Sequence, residues 1–456
     1  MQEKENYTGE RKMSKETDNQ KGMSYRETLE YIDSLQVYGS VPGLDNIRNL
    51  CEKLGNPQDD LKFVHIAGTN GKGSVLCFVS TVLKKAGYRT GRYVSPTIFD
   101  YRERIQINGR MISQKDLCTY MTRMREVCEE LTQEGKTHPT PFEIETALAF
   151  CYFKEKKCDI VVLETGMGGE LDATNVIKNT LVAVFASISH DHMKFLGDTL
   201  EEIAKVKSGI IKQGSIAVTV RQMPEVMQVI LQKCKEAGVP LIIADPGKAS
   251  GVKSRVGKQR FSYGERKDIS ISLMGRYQID NAVTSLEVLK VLKEKGFPVS
   301  EKALYQGFSE AVWPGRFEML SGKPVFIADG AHNRDGAKRL ADSIRFYFTN
   351  RRIIYIMGIL RDKEQEEIIE ATCSLADQIL TVPTSGSRGL SSYELACEVK
   401  KFHPRVTALD SVEEAVELSF LMADKDTVII AFGSLSYLGK LITAVRDRDR
   451  KKMVTI

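Results

Sequence analysis

The chain has 456 residues, of which 42% are hydrophobic and 27% charged, and its formal net charge is +5. This length exceeds one typical core, so we expect two domains, or three, in a soluble globular protein. The charge is small beside 65 basic and 60 acidic side chains, and no basic block accompanies it, which excludes a nucleic-acid partner and leaves room for an anionic substrate.

The cysteines and apolar runs indicate the compartment. Nine cysteines are scattered singly without a C-x-x-C pair, so we expect reduced thiols in a cytoplasmic protein. No apolar run is long enough to cross a membrane and no signal-peptide core occurs, so we expect no membrane partner. Residues 1–22 hold almost no apolar side chains, which predicts a disordered tail.

Two helices, at 24–39 and 42–55, are predicted before the most informative stretch of the chain. That stretch contains a strand at 63–66, a glycine-rich turn at 68–74 and a helix at 75–86. The order of strand, glycine turn and helix is typical of a phosphate-binding loop.

The turn itself reads GTNGKGS. Glycines let the backbone approach a polyphosphate, and the positive end of the next helix attracts its charge. Lys72 would reach the terminal phosphates and the Ser74 hydroxyl a magnesium ion. Ile66 replaces the first glycine of the usual pattern, and this shortened form resembles the loop of the Mur ligase superfamily, ATP-dependent enzymes that join an amino acid to a carboxylate.

The next segment has two interpretations. A short strand at 91–95 ends in Ser95, and residues 97–109 are polar, aromatic and rich in arginine. They form either a solvated loop leading to a hairpin at 108–109 or a mobile lid over a flat, anionic substrate. Helices at 113–135 and 142–156 follow.

The alternation of strands and helices then predicts a mostly parallel sheet. Strands at 159–165 and 181–189 are almost continuously apolar, as parallel strands covered on both faces are. The further elements are helices near 199–212 and 223–237, a strand at 240–244, loops or short antiparallel strands at 246–268, and a helix at 280–295. We expect a P-loop NTPase-like, doubly wound α/β domain at 23–312.

The single tryptophan, Trp313, precedes a proline and a glycine, which predicts a hinge or linker, and we expect the two domains to close about residues 313–322. Beyond it five strands alternate with helices, which predicts a smaller, Rossmann-like α/β domain at 313–456 that has no phosphate loop of its own.

Polar residues converge at the carboxyl ends of the predicted parallel strands, where open α/β sheets bind ligands. Ser95 and Glu164 each end a strand, and His192 follows another. Taken singly, these are a turn residue, a cap or ion-pair partner and a surface histidine. Together with the phosphate loop they predict a site of hard oxygen ligands and one imidazole, which suits Mg²⁺ or Mn²⁺.

At these residues the chain resembles the folylpolyglutamate synthase family, including its bifunctional dihydrofolate synthases. The matching segments run from about residue 24 to the C-terminus: GTNGKGS (68–74), ERIQING (103–109), FEIETALAF (142–150), LETGMGGELDATNV (163–176), SHDHMKFLGDTLEEIAKVKSGIIK (189–212), GRYQIDNA (275–282), WPGRFEML (313–320), DGAHN (329–333) and MGILRDK (357–363).

The resemblance implies roles for individual residues. It places ATP on Gly68, Thr69, Asn70, Gly71, Lys72, Gly73, Ser74, Asn281, Arg316 and Asp329. It places Mg²⁺, in one or two sites, on Ser74, Ser95, Glu164, His192 and Lys207, the last as an N-carboxylated lysine. It gives catalytic roles to Lys72, Lys207, Asp329 and His332, and brings Ser434 to the cleft.

The implied activity is ATP-dependent addition of L-glutamate to the γ-carboxylate of a reduced folate through an acyl phosphate, with dihydropteroate as another acceptor, in a monomer. Two alternatives stay open: a different Mur-type ligase with a UDP-muramoyl acceptor, and a catalytically silent nucleotide-binding protein. Three residues depart from the family pattern: Glu170 stands where many members have arginine, Val206 where glutamate is frequent, and Tyr277 where histidine is common.

Overall fold

The computed structural model describes residues 22–39, 43–191, 193–386 and 388–454. The tail predicted to be disordered lies outside these ranges except for Gly22, so that expectation stays a prediction. Within the described residues the chain folds around two large sheets and one small sheet.

The first large sheet has eight strands, namely β1 (Phe63–Ala67), β2 (Thr90–Tyr93), β3 (Ile105–Ile107), β4 (Arg110–Met111), β5 (Ile160–Glu164), β6 (Thr180–Phe185), β7 (Ile216–Val220) and β8 (Leu241–Ala244). Their order across the sheet is β4-β3-β2-β5-β1-β6-β7-β8. The pairs from β2 to β8 are parallel, whereas β3 and β4 add an antiparallel edge. The carboxyl ends of β2, β5, β1 and β6 therefore lie side by side.

Helices cover both faces of this sheet. They are α1 (Tyr25–Ser34), α2 (Asp45–Lys53), α3 (Lys72–Lys85), α4 (Gln114–Gln133), α5 (Pro141–Glu155), α6 (Met193–Leu196), α7 (Leu200–Ser208), α8 (Pro224–Ala237), α9 (Gln278–Glu294) and α10 (Glu301–Glu310). One apolar core joins the sheet to α3, α9 and α10, and another joins it to α1, α2, α4 and α5. Ser24, Thr140 and Thr199 begin α1, α5 and α7 with capping boxes, which satisfy free amides of the first turns.

A small antiparallel sheet follows β8. It contains β9 (Ser250–Arg255), β10 (Lys258–Tyr263) and β11 (Arg266–Ile271), with β10 in the middle. The sequence predicted either loops or short antiparallel strands at 246–268, and the structure has antiparallel strands.

The second large sheet has six strands rather than the five expected. They are β12 (Glu318–Gly322), β13 (Val325–Ala328), β14 (Arg352–Met357), β15 (Gln378–Thr381), β16 (Val406–Ala408) and β17 (Thr427–Phe432), in the order β12-β13-β17-β14-β15-β16. The additional strand, β12, pairs antiparallel with β13 at the edge, and the segment that forms it belongs to the predicted hinge. The other neighbours are parallel.

Five helices pack on this sheet: α11 (Arg334–Tyr347), α12 (Gln365–Thr372), α13 (Ser392–Lys400), α14 (Val412–Met422) and α15 (Leu435–Val454). Each corresponds to a predicted helix. The expected fold class, a mostly parallel α/β sheet followed by a smaller α/β unit, is confirmed, whereas the domain boundary at 312/313 stays a prediction.

Other differences are local. The hairpin at Asn108 and Gly109 is present, and both residues have positive φ, as its turn requires. Strand β7 and helices α6 and α10 are not among the predicted elements. All nine cysteines are free thiols, as expected. Within the part of the chain that the structure describes, each helix is too short or too polar to cross a bilayer.

Candidate functional site

The glycine turn links β1 to α3 and is tied to the segment after β6. The backbone amides of Thr69 and Asn70 both donate to the carbonyl oxygen of Ser187, at 2.7 and 3.1 Å. The Thr69 hydroxyl donates to the carbonyl oxygen of Ser189 at 2.8 Å. These bonds hold the turn open at the carboxyl ends of two adjacent strands, with the N-terminus of α3 pointing into the space above.

Glycine is required in this turn for two reasons. Gly71 has a φ of +93°, and a Cβ there would lie 2.5 Å from the Asn281 side-chain oxygen. A Cβ at Gly73 would lie 2.7 Å from the indole nitrogen of Trp313. Asn281 at the start of α9 and Trp313 in the linker therefore pack directly on the turn.

Oxygen atoms cluster beside this turn. The Ser74 hydroxyl accepts a hydrogen bond from the Gln278 side-chain amide at 3.1 Å. Glu164 is 6% exposed, and its Oε1 lies 3.8 Å from the Lys72 ammonium. Burial raises the pKa of Glu164 to about 7, although Lys72 and a hydrogen bond from the Ser95 amide oppose that shift. The hydroxyl-bearing residues Ser74 and Ser95 line the same cleft as this buried carboxylate, so oxygen atoms of the kind that Mg²⁺ prefers are available there.

Two lysines approach the same carbonyl group. The ammonium groups of Lys72 and Lys207 donate to the Gly68 carbonyl oxygen at 3.1 and 3.2 Å. Burial, followed by the charge of Lys72, lowers the pKa of Lys207 to about 7. An amine in this environment is partly uncharged at neutral pH.

The predicted ligand His192 lies outside the described residues, so its place in the site stays a prediction. Among the residues that the structure does describe, the His, Cys, Asp and Glu side chains form no group of three that could hold a metal ion. A metal site around Glu164 would therefore need ligands of another kind, such as serine hydroxyls.

The second sheet contributes Asp329, which follows β13. Its carboxylate accepts hydrogen bonds from the Tyr277 hydroxyl at 3.0 Å and from the backbone amides of Phe317 and Ala331, both at 2.8 Å. Burial raises the pKa of Asp329, and the Arg316 guanidinium opposes that shift. With three donors, Asp329 binds the linker, β13 and α9 together.

His332 follows Asp329 by three residues in the chain but has a different environment. Its Nδ1–H donates to the Gly330 carbonyl oxygen at 2.7 Å, which leaves Nε2 as a hydrogen-bond acceptor. Burial lowers the pKa of His332 to about 4. The ring is therefore neutral at physiological pH. Gly330 permits the approach of Arg316, because a Cβ there would lie 2.0 Å from its Nη1.

All predicted site residues other than His192 line one cleft between the two large sheets, except Ser434, which lines an adjoining cavity. The residues that meet there are Gly68, Thr69, Asn70, Gly71, Lys72, Gly73, Ser74, Ser95, Glu164, Lys207, Asn281, Arg316, Asp329 and His332. Tyr277, noted above only as a departure, lies among them.

Polar contacts across the cleft involve four residues that had no predicted role, namely Asp191, Asn333, Asp335 and Lys363. Asp191 accepts from the Asn333 amide and from the Lys363 ammonium, both at 3.1 Å. The Asn70 amide donates to Asp335 at 2.9 Å. Asp191, Asn333 and Lys363 lie within the family-like segments SHDH, DGAHN and MGILRDK. Membership of these segments is the sequence feature that could have predicted a role for them.

The adjoining space, which we call the acceptor cavity, has a volume of about 530 Å³. It shares Ser95, Pro96, Gly166, Met167, His332 and Leu435 with the cleft. Its other lining residues include apolar Phe142, Leu171, Phe195 and Leu196 and polar Arg104, Thr140, Glu143, Asp172 and Lys363. A volume of this size accommodates a small organic ligand.

The lining of the cavity includes two departures from the family pattern and one residue of the segment interpreted as a loop or lid. Glu170 and Val206, two of the three departures, both line it. Arg104, in the segment interpreted as loop or lid, also lines it and forms an ion pair with Glu145 at 3.0 Å. These residues lie beside the acceptor cavity rather than the phosphate loop.

Comparison with known proteins agrees with this geometry. Residues 66–289 match the Mur ligase middle domain and residues 315–435 the Mur ligase glutamate ligase domain. The chain is 38% identical over 363 residues to the dihydrofolate synthase/folylpolyglutamate synthase of Bacillus subtilis, covering 78% of this chain and 84% of that one.

Solved structures show the same likeness over nearly the whole chain. Mycobacterium tuberculosis folylpolyglutamate synthase, solved with ADP and AMPPCP, superposes with a TM-score of 0.82 at 31% identity, covering 93% of this chain and 98% of that one. The Escherichia coli FolC protein, solved with DHPP and ADP, gives 0.81 at 27% identity, covering 94% and 99%. The chain therefore belongs to the folylpolyglutamate and dihydrofolate synthase family of ATP-dependent ligases.

Proposed function

We propose that this chain uses ATP to join L-glutamate to the γ-carboxylate of a reduced folate, and that it also accepts dihydropteroate. The observation that carries the proposal is the direct connection between a phosphate-loop cleft and an acceptor cavity, which share Ser95, Met167 and His332. A carboxylate at the inner end of the cavity would reach the terminal phosphate of a nucleotide in the cleft.

ATP would bind along the glycine turn. The free amides at the start of α3 and the helix dipole attract the phosphates, while Lys72 and Arg316 supply cationic side chains. Release of the Lys72 ammonium from the Gly68 carbonyl would free it to follow the migrating phosphoryl group. Relatives solved with ADP and AMPPCP support nucleotide binding here.

The oxygen cluster fits Mg²⁺. Ser74 and Ser95 would offer hydroxyls and Glu164 a carboxylate, and His192 is the predicted imidazole ligand. When bound, the ion neutralises charge on the transferring phosphoryl group. The raised pKa of Glu164 supports this assignment, since a buried carboxylate without a full counter-charge favours a cation nearby.

We further propose that Lys207 is N-carboxylated. Its pKa of about 7 leaves part of the amine uncharged at neutral pH, so it can attack CO₂: the nitrogen–carbon bond forms and the nitrogen loses one proton. The product is an anion in place of a buried cation. It would relieve the repulsion from Lys72 and offer oxygens to a second Mg²⁺.

The flat ring system of the acceptor would occupy the acceptor cavity. Phe142 offers an aromatic face, and the carboxylates of Glu143 and Asp172 offer acceptors for amino and ring N–H groups. Leu171 and Phe195 are 52% and 64% exposed at the edge of the cavity, where a bound ring would cover apolar surface. The relative solved with DHPP and ADP supports two neighbouring sites.

The reaction needs a leaving group, because an amine does not displace oxide from a carboxylate. Transfer of the terminal phosphoryl group of ATP to the acceptor carboxylate gives an acyl phosphate, and attack by the glutamate amine then forms the amide and releases phosphate. The neutral His332 Nε2 would orient the amine. Asp329, with its three donors, would hold the linker and β13 in register rather than move a proton. Positioning of this kind contributes roughly 7–11 kcal/mol in well-oriented systems.

The two alternatives receive less support. A UDP-muramoyl acceptor is not favoured, because the relatives described above are named as folate enzymes. A silent nucleotide-binding protein would have no need of the buried lysine and acids that line the cleft.

The decisive experiment measures ATP-dependent incorporation of labelled glutamate with tetrahydrofolate and dihydropteroate side by side. We expect one ADP per amide formed with each acceptor, and activity with tetrahydrofolate alone would contradict only the part of the proposal that concerns dihydropteroate. Absence of amide formation with both acceptors, in a protein that still binds ATP, would contradict the proposal. For Lys207, intact mass under bicarbonate should show the added carboxylate, and short carboxylates should restore activity to Lys207→Ala. An unmodified lysine in a fully active enzyme would contradict that part alone.

A further inference from the structure

A histidine with no place in the cleft lies under the acceptor cavity. His65 is in the middle of β1 and is 0% exposed. Its Nε2 lies 2.9 Å from the Thr174 hydroxyl oxygen, and that hydroxyl lies 2.5 Å from Asp172 Oδ1. The three side chains form a continuous row from the centre of the sheet to the wall of the acceptor cavity.

The Asp172 carboxylate is fixed on both of its oxygens. Oδ1 accepts from the Thr174 hydroxyl and, at 3.1 Å, from the Thr174 amide, while Oδ2 accepts from the Met167 amide at 2.7 Å. These donors stabilise the charged form against its burial, which by itself raises the pKa of Asp172. The acid is therefore presented to the cavity as a hydrogen-bond acceptor of fixed orientation.

The proton on each member of the row follows from the geometry. The Thr174 hydroxyl has one proton, and it donates that proton to Asp172. The remaining contact of the hydroxyl, with His65, therefore uses a hydroxyl lone pair and an Nε2–H donor. The opposite arrangement would place a proton on Nδ1, a buried atom that has no hydrogen-bond partner among the described residues.

The row of side chains ends at His65. Because its Nδ1 has no hydrogen-bond partner among the described residues, a proton that reached the ring could be passed no further. Burial lowers the pKa of His65 to about 3, and Lys212 contributes in the same direction, so the ring is neutral at physiological pH. His65 therefore has the features of a fixed donor and lacks those of a proton relay.

We propose that His65 is a positioning residue of the acceptor cavity: its Nε2–H holds the Thr174 hydroxyl in the rotamer that donates to Asp172, and so sets the carboxylate that binds the N–H groups of the acceptor ring. This inference rests on the proposed function, since it assumes that the ring lies against Asp172. Under this proposal His65, a buried residue of β1, affects the binding of the acceptor and leaves the binding of ATP unchanged.

Two variants of His65 separate this role from a structural one. His65→Leu removes the donor and also the unpaired Nδ1, so we expect thermal stability to be kept or raised. The KM for the acceptor should nevertheless rise about three- to tenfold, with kcat and the KM for ATP unchanged. His65→Gln, whose amide can donate from nearly the same position, should keep the acceptor KM within about twofold of wild type.

Substitutions at Thr174 test the connection. Thr174→Val should raise the acceptor KM at least as much as His65→Leu, and Thr174→Ser should restore it. If His65 acts through the hydroxyl, the double variant His65→Leu/Thr174→Val should match Thr174→Val alone. Thr219→Val removes another fully buried hydroxyl, on β7, and serves as the matched control with an unchanged acceptor KM.

The outcomes distinguish the inference from the proposed function. A wild-type protein without ligase activity contradicts the proposed function. An active enzyme in which Asp172→Asn leaves the acceptor KM unchanged contradicts the placement of the ring, and with it the inference. If Asp172→Asn raises the acceptor KM while the His65 and Thr174 variants do not, or if the two single effects multiply in the double variant, only the inference is overturned. Should His65→Leu fail to fold, His65→Gln and the Thr174 pair still decide the matter.

Discussion

The phosphate cleft and the acceptor cavity adjoin each other but are built in different ways. The cleft combines one contiguous turn, 68–74, with segments that follow strands of both large sheets. The cavity collects side chains from separate segments, and its large apolar groups, such as Phe142, Leu171 and Phe195, lie beside six charged residues. Because the cleft is proposed to hold a polyphosphate and the cavity an organic ring, charge compensation should dominate the energetics of the cleft, and apolar contact those of the cavity.

This difference bears on specificity. A nucleotide offers the same phosphates to every enzyme of this class, so backbone amides and a few cationic groups can hold it without reading further features. An acceptor ring must be told apart from others by shape and by a few fixed hydrogen bonds. Two departures from the family pattern, Glu170 and Val206, lie at the cavity, and the third, Tyr277, lies in the cleft but outside the glycine turn.

The largest expected effect is on the cleft. Lys72→Ala should lower kcat/KM by about 10²–10³-fold, because the cation proposed to face the transferring phosphoryl group is lost. Steady-state ADP release measures it. Lys84→Ala, an exposed lysine on the same helix, is the control and should retain full activity. A fall of less than tenfold for Lys72→Ala would mean that charge at this position does not govern the cleft.

The cavity should respond through apolar contact. Phe142→Ala removes an aromatic side chain that is proposed to pack against the acceptor, a contact of about 1.5–3 kcal/mol, so the acceptor KM should rise roughly tenfold to hundredfold. The KM for ATP should stay constant. Phe402→Ala, at a site 39% exposed and outside the cavity, is the matched control. A rise in both KM values would show that the two regions are not energetically separate.

Packing between the phosphate loop and Trp313 should tolerate no added side-chain atom at Gly73 without a loss of stability. Gly73→Ala would place a Cβ 2.7 Å from the indole nitrogen of Trp313, and overpacking of this kind lowers the free energy of unfolding by about 1–3 kcal/mol. Urea unfolding measures it. Gly322→Ala, where a Cβ has no neighbour within 4 Å, should leave stability nearly unchanged. Combining Gly73→Ala with Trp313→Phe should recover part of the loss; equal losses in both variants would count against the contact.

The smallest effect concerns pH. Burial raises the pKa of Glu164 from 4.5 to about 7, so between these values the folded protein holds a proton that the unfolded chain has lost. Stability of the ligand-free protein should fall as pH rises through this window, and the full penalty is present above it. Glu164→Gln removes the penalty and should be more stable than wild type at pH 8, by on the order of 1–2 kcal/mol, and similar at pH 4.5.

Thermal melts at both pH values check this prediction. Addition of Mg²⁺ and nucleotide should raise the melting temperature of the wild type at pH 8 more than that of Glu164→Gln. An equal difference between the two proteins at both pH values would show that the carboxylate is compensated in some other way.

The two regions also differ in how well the sequence predicts them. The residues of the turn are contiguous, and strand ends such as Ser95 and Glu164 are placed by the apolar runs before them. Thr140, Phe142 and Asp172 meet only because α5 and the segment after β5 pack together, and no local spacing encodes that meeting. The same holds for Tyr277 and Asp329, which are 52 residues apart in sequence.

The unpredicted elements have similar causes. Helix α10 contains Gly307, which lowers helix propensity, yet a Cβ there would lie 2.5 Å from the Val82 side chain on α3. Packing against α3 therefore requires glycine at position 307, although glycine disfavours a helix locally. Strand β7 is a short run of four apolar residues and one threonine, and such runs are ambiguous without their neighbours.

The contact between Trp313 and the glycine turn also provides a built-in optical reporter. Because the chain contains a single tryptophan, its ultraviolet emission arises from one place, beside the loop proposed to hold the phosphates. Quenching or a spectral shift on titration with nucleotide would give affinities directly, without a label. The same signal, followed in a stopped-flow instrument, would time the arrival of the nucleotide separately from the chemistry that follows.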